Sequence, residues 1–443
     1  MTSSLPNRAA AWRWLLTKEW RELLASRAWW VLVALAGPLV GVSFGNAVRA
    51  YAEVSAGAGN ACGIVCAPLI GIWAPTFSAY EIAAIFLLPF VAIRAVSGDA
   101  HSGALTLEIQ RPLSPLARVA ARAAVLVAGW MIAGLAALVA MALWASYGGS
   151  TYLPEVGVVA LGHLLNGTLT IALALAIGSV ADNPSTAAIV TLAATIGTWV
   201  IAFAAALQGG VWTTIADYTP TAMVSMFQHA LVQTNVLLAT LVAIAAAFVV
   251  SAIWLRLYDT AARRWARTAA TLVVAAGLAA GAAHVRGSWD ASESRYNSFD
   301  EADEEALARL PAPLAIEAHL APQDPRRTAL ERGPFAKLRR VVPSMRVTYV
   351  ARTGTGMYEE SDPGYGEVRY TYEGRTASSR EVSDEGVLET IFDLAHLAPG
   401  GEEEEGFRGH PLVATAKGAA VLFYVVWPAV VVGLAILVGR RRR

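Results

Sequence analysis

The sequence predicts an all-α polytopic membrane protein of about eight spans with a separate α/β domain outside the bilayer. Three observations predict it. Of the 443 residues, 56% are hydrophobic and only 15% are charged, with a mean hydropathy of +0.49, whereas soluble domains carry about a quarter charged residues. The apolar residues fall in eight runs of about 20, the length that crosses the hydrocarbon core. One polar stretch, 286–410, interrupts them and holds 24 of the 34 acids against 15 of the 34 bases, within a chain whose formal net charge is zero.

The predicted spans are 28–47, 78–97, 118–146, 157–180, 186–207, 236–256, 268–285 and 416–438. The turn Ala181-Asp182-Asn183-Pro184-Ser185 makes the fourth and fifth a tight helical hairpin. Basic residues mark one side. Arg8, Arg13, Lys18, Arg21 and Arg27 precede the first span, Arg111, Arg118 and Arg122 stand between the second and third or just inside the latter, and Arg256, Arg263, Arg264 and Arg267 between the sixth and seventh. Arg440 to Arg443 end the chain in a basic tail, 439–443. The opposite loops 147–156 and 208–235 hold no base, and 48–76 holds only Arg49. Positive charge stays inside, so both termini are expected to be cytoplasmic and segment 286–410 extracytoplasmic. Trp29, Trp30, Trp144, Trp212, Trp254 and Trp427 fall near span ends and are expected to anchor at the interfaces.

Residues 8–27, within the N-terminal segment 1–27, read as an amphipathic helix. Trp12, Leu15, Leu16, Trp20, Leu23 and Leu24 form its apolar face, with Arg13, Lys18, Glu19, Arg21 and Glu22 mostly opposite. It is either a membrane anchor or a partner contact. Between the second and third spans, GDAHSGALTLEIQRPLSPLAR carries a short amphipathic stretch that stops at Arg111-Pro112, because proline lacks an N–H and disfavours helix before it. It is either a helix that transmits a push from a partner or a charged turn. Glu81, His163 and Asn166 are the ionisable and polar candidates inside spans. Glu81 is placed at the outer end of the second span, and His163 and Asn166 lie three apart on one face of the fourth.

The stretch GDAHSGALTLEIQRPLSPLARVAARAA resembles the segment E-x-x-x-G-T-L-E-L-L-L-S-R-P-V-S-R of type-2 ABC exporter permeases. Gly103, Leu105, Leu107, Arg111, Pro112 and Ser114 match it, and Arg122 stands where a lysine is common. Asp99, Ala104, Thr106 and Glu108 depart from it. The resemblance implies a six-span permease core over 28–258, with a coupling helix at 98–115 and a re-entrant external segment at 208–235. The coupling residues would be Gly98, Asp99, His101, Gly103, Leu105, Glu108, Arg111 and Pro112, with Lys18, Glu19 and Trp20 beside them. It further implies a homodimer in a bacterial inner membrane, working with an ABC ATP-binding subunit that holds the ATP and Mg. No phosphate loop G-x-x-x-x-G-K-[ST] occurs in this chain, so no cofactor is expected on it and it is not expected to be an enzyme. The alternative is an ATPase-coupled assembly or mechanotransmission protein that does not transport. The partners expected are the lipid bilayer, the ATPase and an extracytoplasmic protein or substrate, with no nucleic acid.

The 125 residues of 286–410 read as helix 300–310, strand 314–320, helix 325–342, strands 346–350 and 367–373, a further strand near 375–383, and helix 385–397. LARLPAPLAIEAHLAPQDP followed by LRRVVPSMRVTYV resembles the external domain of gliding-motility-type ABC permeases, which implies a thioredoxin-like topology. The insert has no cysteine, so thiol redox chemistry is excluded there. The chain's two cysteines, Cys62 and Cys66, lie in the first external loop, where a local disulfide, two free thiols or a copper site are open. Seven scattered histidines give no zinc spacing, and no metal site is expected.

Overall fold

The computed structural model describes residues 8–58, 62–102, 113–181, 183–208, 211–256, 259–285, 287–321, 324–350, 364–397 and 407–441. Eight helical segments among them are long and apolar enough to cross a membrane. Ahead of the first runs helix α1, Arg8–Ala25. The spans are Arg27–Gly57, Leu69–Phe86, Pro115–Ser146, Leu153–Val180, Pro184–Ala205, Thr234–Trp254, Ala261–Ala282 and Ala419–Arg440. An even number of crossings puts the start of the first span and the end of the last on one side, together with most of the span-end arginines. We call this the basic face and the opposite side the domain face.

Capping residues set the helix starts. Ser114 accepts from the Ala117 N–H at 3.2 Å before Pro115, and Asn183 from the Thr186 N–H at 2.8 Å before Pro184. Thr219 does the same for Ala222 at 3.3 Å before Pro220. In each case the proline stands where its missing N–H costs nothing. The first helix runs 32 residues, Arg27–Ala58, about 48 Å at about 1.5 Å per residue. It therefore outreaches a hydrocarbon core of about 30 Å.

Three expectations are corrected. The second span begins at Leu69 instead of 78, through a π-helical turn Leu69–Trp73, and its helix resumes after Leu87 as Leu88–Ser102. Glu81 therefore lies inside the candidate span Leu69–Phe86 and not at its outer end. Two of the six tryptophans expected at the interfaces pack inward instead: Trp29 and Trp144 are buried, donating to Gly129 O at 3.2 Å and Ser150 O at 2.7 Å, while Trp212 is exposed. The helix expected over 325–342 is two, Pro325–Arg332 and Pro334–Val341, since Pro334 holds Gly333 out of the helical region.

The fourth span is the hub. It packs against the second, third, fifth and sixth spans and against the short helix Pro220–Gln228. That helix and its neighbour Val211–Ala216 occupy the domain-face loop between the fifth and sixth spans without crossing. The fifth, seventh and eighth spans are 17%, 11% and 11% buried, against 67% for the fourth.

Strand β1, Leu231–Gln233, pairs antiparallel with β2, Ser288–Asp290. Beyond it, β3 (Leu314–Ala318), β4 (Met345–Tyr349), β5 (Val368–Tyr372) and β6 (Arg375–Ser379) form a mixed sheet in the order β4-β3-β5-β6. The β3–β4 pair is parallel and the other two are antiparallel. Alternation builds its core: Leu314, Ile316 and Ala318, with Val368, Tyr370 and Tyr372, face Phe335, Leu338, Ile391 and Phe392 of the covering helices.

Candidate functional site

The buried stripe of α1 is Ala11, Leu15, Glu19 and Leu23, each one turn from the last. A carboxylate thus sits in the middle of an apolar row that packs on the third span. Its partner explains it: Arg122 Nε lies 3.2 Å from Glu19 Oε1, with side-chain exposures of 1% and 3%. Lys18 Nζ stands 3.4 Å from both Glu19 Oε1 and Glu22 Oε1. Glu19 is therefore not on the polar side where amphipathic reading places it. A charge this deep is tolerated only when paired.

Beside the pair lies a cavity of about 260 Å³ whose lining includes Glu19, Glu22, Arg94, Ala95, Arg122 and Val125. Its walls come from α1, from the helix that leads into segment 103–112 and from the span that leads out of it. Gly103, Leu105, Glu108, Arg111 and Pro112 lie outside the described residues. Gly98, Asp99 and His101 fall in the last turns of Leu88–Ser102, with their backbone alone described. Trp20 is half-buried against the same core. Arg122 could have been found from sequence. Arg118 and Arg122 are one turn apart just inside a span, where each needs a partner, and α1 offers acids.

His163 and Asn166 are both buried in the fourth span. The His163 ring stacks on Phe77 at 5.7 Å, its carbonyl accepts from Trp130 Nε1 at 3.2 Å, and its Nε2 lies 3.4 Å from Gln228 Nε2. It is a junction of the second, third and fourth spans with the short helix Pro220–Gln228. Glu81 Oε1 accepts from Trp199 Nε1 at 2.9 Å, joining the second span to the fifth. These residues do not converge on the Glu19–Arg122 pair.

A third cluster stitches the segments that flank the sheet domain to the span ends on the domain face. Glu155, in the first turn of the fourth span and 2% exposed, accepts from the Glu293 N–H at 2.7 Å. The Glu293 carboxylate lies 3.0 Å from His410 Nε2. Cys62 and Cys66 are joined by a disulfide with a Cα–Cα distance of 5.4 Å. Around it Gly63 N donates to Arg408 O at 3.2 Å and His410 N to Cys66 O at 2.9 Å. The Tyr51 hydroxyl lies 2.6 Å from Cys66 O and 2.7 Å from His410 O. Asn297 Nδ2 donates to His229 O at 2.7 Å, next to Ala230, which adopts the left-handed region at φ 59°. Glu155 escapes a sequence reading because one acid in a first helical turn is ordinary.

Among the described residues no group of three or more histidine, cysteine or acidic side chains is placed to hold a metal. Fold and site together define a multi-pass helical membrane protein with a small mixed-sheet domain at 314–379. No family model matches the chain, and no curated sequence or solved structure does.

Proposed function

We propose that this chain is the permease subunit of an ATP-driven ABC exporter. It would work as a homodimer in a bacterial inner membrane with a separate ATP-binding subunit, and with both termini cytoplasmic. The observation that carries the reading is the Glu19–Arg122 pair. It locks an amphipathic helix onto the span that follows segment 98–115, so a force on either element reaches the other through a rigid joint. In this reading Glu19 and Arg122 position α1 and do not touch the ATPase, while the exposed side of α1 and the 98–115 segment receive it. The sheet order β4-β3-β5-β6, with its one parallel pair, supports a thioredoxin-like external domain that binds a protein or substrate through non-redox contacts.

The stitching of that domain to the span ends favours a second reading. Movement of the fourth span would be passed outward through Glu155 and β1–β2, making the chain a mechanotransmission protein that exports nothing.

The test is an ATPase assay on the chain reconstituted with its ATP-binding subunit. Charge reversal at Glu108 and Arg111 is expected to lower complex ATPase activity at least about tenfold, a coupling loss of about 1.4 kcal/mol. The ATPase subunit alone is expected to keep its activity. Unchanged activity in the reconstituted complex would sink the assignment.

A further inference from the structure

The first and eighth spans meet tightly toward the domain face and part toward the basic face. In the tight half, Gly37 and Gly41 lie under Trp427 and Phe423. A Cβ added at either glycine would come within 2.2 Å and 2.5 Å of those side chains. Trp427 Nε1 also donates to Val33 O at 2.8 Å. From Ala34 and Val431 onward a cavity of about 550 Å³ opens between the two spans, with Leu24 and Ala25 of α1 also in its lining. Its walls are aliphatic: Val31 and Ala34 on one side, Val432, Ala435 and Ile436 on the other. Trp30 is pinned as a fixed edge by its bond to Leu24 O at 2.9 Å. At the mouth stands Arg27, exposed and with no ion-pair partner among the described residues. Arg440 follows Gly439, the last lining residue of the eighth span.

We propose that this crevice binds an anionic phospholipid, with one acyl chain in the cleft and the headgroup phosphate on Arg27. Water is a poor occupant, because aliphatic walls give it no hydrogen-bond partners. From Arg27 to Ala34 the helix rises about 10 Å at about 1.5 Å per residue, most of one leaflet's share of a core about 30 Å thick. Apolar depth and a cationic rim together match a lipid with a negative head, since arginines at the membrane surface attract anionic headgroups. A second copy of the chain fits less well. A two-fold interface over this crevice would bring two cationic rims together with no acid among the lining residues to offset them.

The test uses the full chain, delipidated in mild detergent and titrated by native mass spectrometry with phosphatidylglycerol and, separately, with phosphatidylcholine of the same acyl chains. One tight phosphatidylglycerol site is expected. Ala435→Trp, which fills the cleft, is expected to remove it. Arg27→Gln, on the exposed rim, is expected to weaken phosphatidylglycerol about fivefold, the weight of one arginine near an anionic surface, and to leave phosphatidylcholine unchanged. Elution volume and thermal midpoint check that Ala435→Trp folds, and Arg27→Gln keeps the proposal testable if it does not. Equal binding of the two lipids, or an Arg27→Gln protein with unaltered phosphatidylglycerol affinity, would overturn the proposal. So would efficient self-crosslinking of an Ala435→Cys variant in vesicles, which would assign the cleft to a second copy.

Discussion

The first span is held at its two ends by opposite means. On the basic face, a buried ion pair, Glu19–Arg122, with Lys18 beside Glu19, fastens the helix that leads into it to the third span. On the domain face the fastening is spread over backbone bonds at Gly63, Cys66 and His410, the Tyr51 hydroxyl and a disulfide. The first arrangement concentrates energy in one pair of buried charges, so losing either partner removes the contribution of the pair at once. The second distributes it over groups that no single side-chain change removes. A joint that concentrates its energy is lost to one substitution, and a distributed one is not. The contrast predicts that a single change releases α1 from the third span, whereas the attachment of the sheet domain survives one.

The sharpest way to break the comparison is to remove one charge from the concentrated joint. Glu19→Ala is expected to destabilise the protein by about 3–5 kcal/mol, because it breaks a buried pair by removing one of its two charges. Replacing both partners by apolar residues, Glu19→Leu with Arg122→Met, is expected to recover most of that loss. Unfolding in mixed detergent micelles with increasing SDS measures both. If Glu19→Ala unfolds like the parent protein, the pair does not hold α1.

On the distributed side the effects are expected to be smaller. Glu155→Ala removes the acceptor of the Glu293 N–H and is expected to cost about 1–3 kcal/mol. Glu155→Gln keeps an acceptor oxygen at the same position and is expected to lose clearly less. Hydrogen exchange at 288–298 checks the site directly. Faster exchange there in Glu155→Ala, with protection of β3 and β5 unaltered, is the expected pattern. A loss as large as that of Glu19→Ala would erase the distinction between the two joints.

How much of this was legible in the sequence follows from what each feature depends on. Hydropathy marks eight spans because hydrocarbon admits only long apolar helices, and strand alternation marks β3 and β5 because half-buried strands leave a period of two. The second span begins nine residues before the expected 78 because its first turn is a π-helical one, Leu69–Trp73, which leaves no separate mark in hydropathy. Glu19 was assigned to the solvent side because an amphipathic pattern scores a carboxylate as polar and knows nothing of Arg122, 103 residues away. His163 and Asn166 were legible as unusual, but their junction with Phe77 and Gln228 is long-range packing. The Glu155–Glu293 bond joins a side chain to a backbone N–H, a contact that carries no sequence signature.

The smallest expected effect lies farthest from both joints, in the loop after β3. Asp324 accepts from the Arg326 N–H and guanidinium at 2.9 and 2.8 Å and from the Tyr365 hydroxyl at 2.9 Å, tying that loop to the turn before β5. The Arg326 guanidinium beside it holds its carboxyl down from 3.8 to about 2. A group whose folded-state pKa is depressed stabilises the fold above its unfolded value and loses that contribution as pH falls through the folded one. The Asp324 contribution is therefore complete above about pH 4 and decays as pH falls toward 2. Asp324→Asn is expected to lower domain stability slightly at neutral pH and to flatten the acid transition between those values, read by tyrosine fluorescence of the full chain. The Glu19–Arg122 joint shares none of these groups, so α1 protection in the variant is expected to match the parent at pH 7. If α1 exchange quickens instead, the two faces of the molecule are coupled through the sheet domain, and the division between concentrated and distributed joints falls.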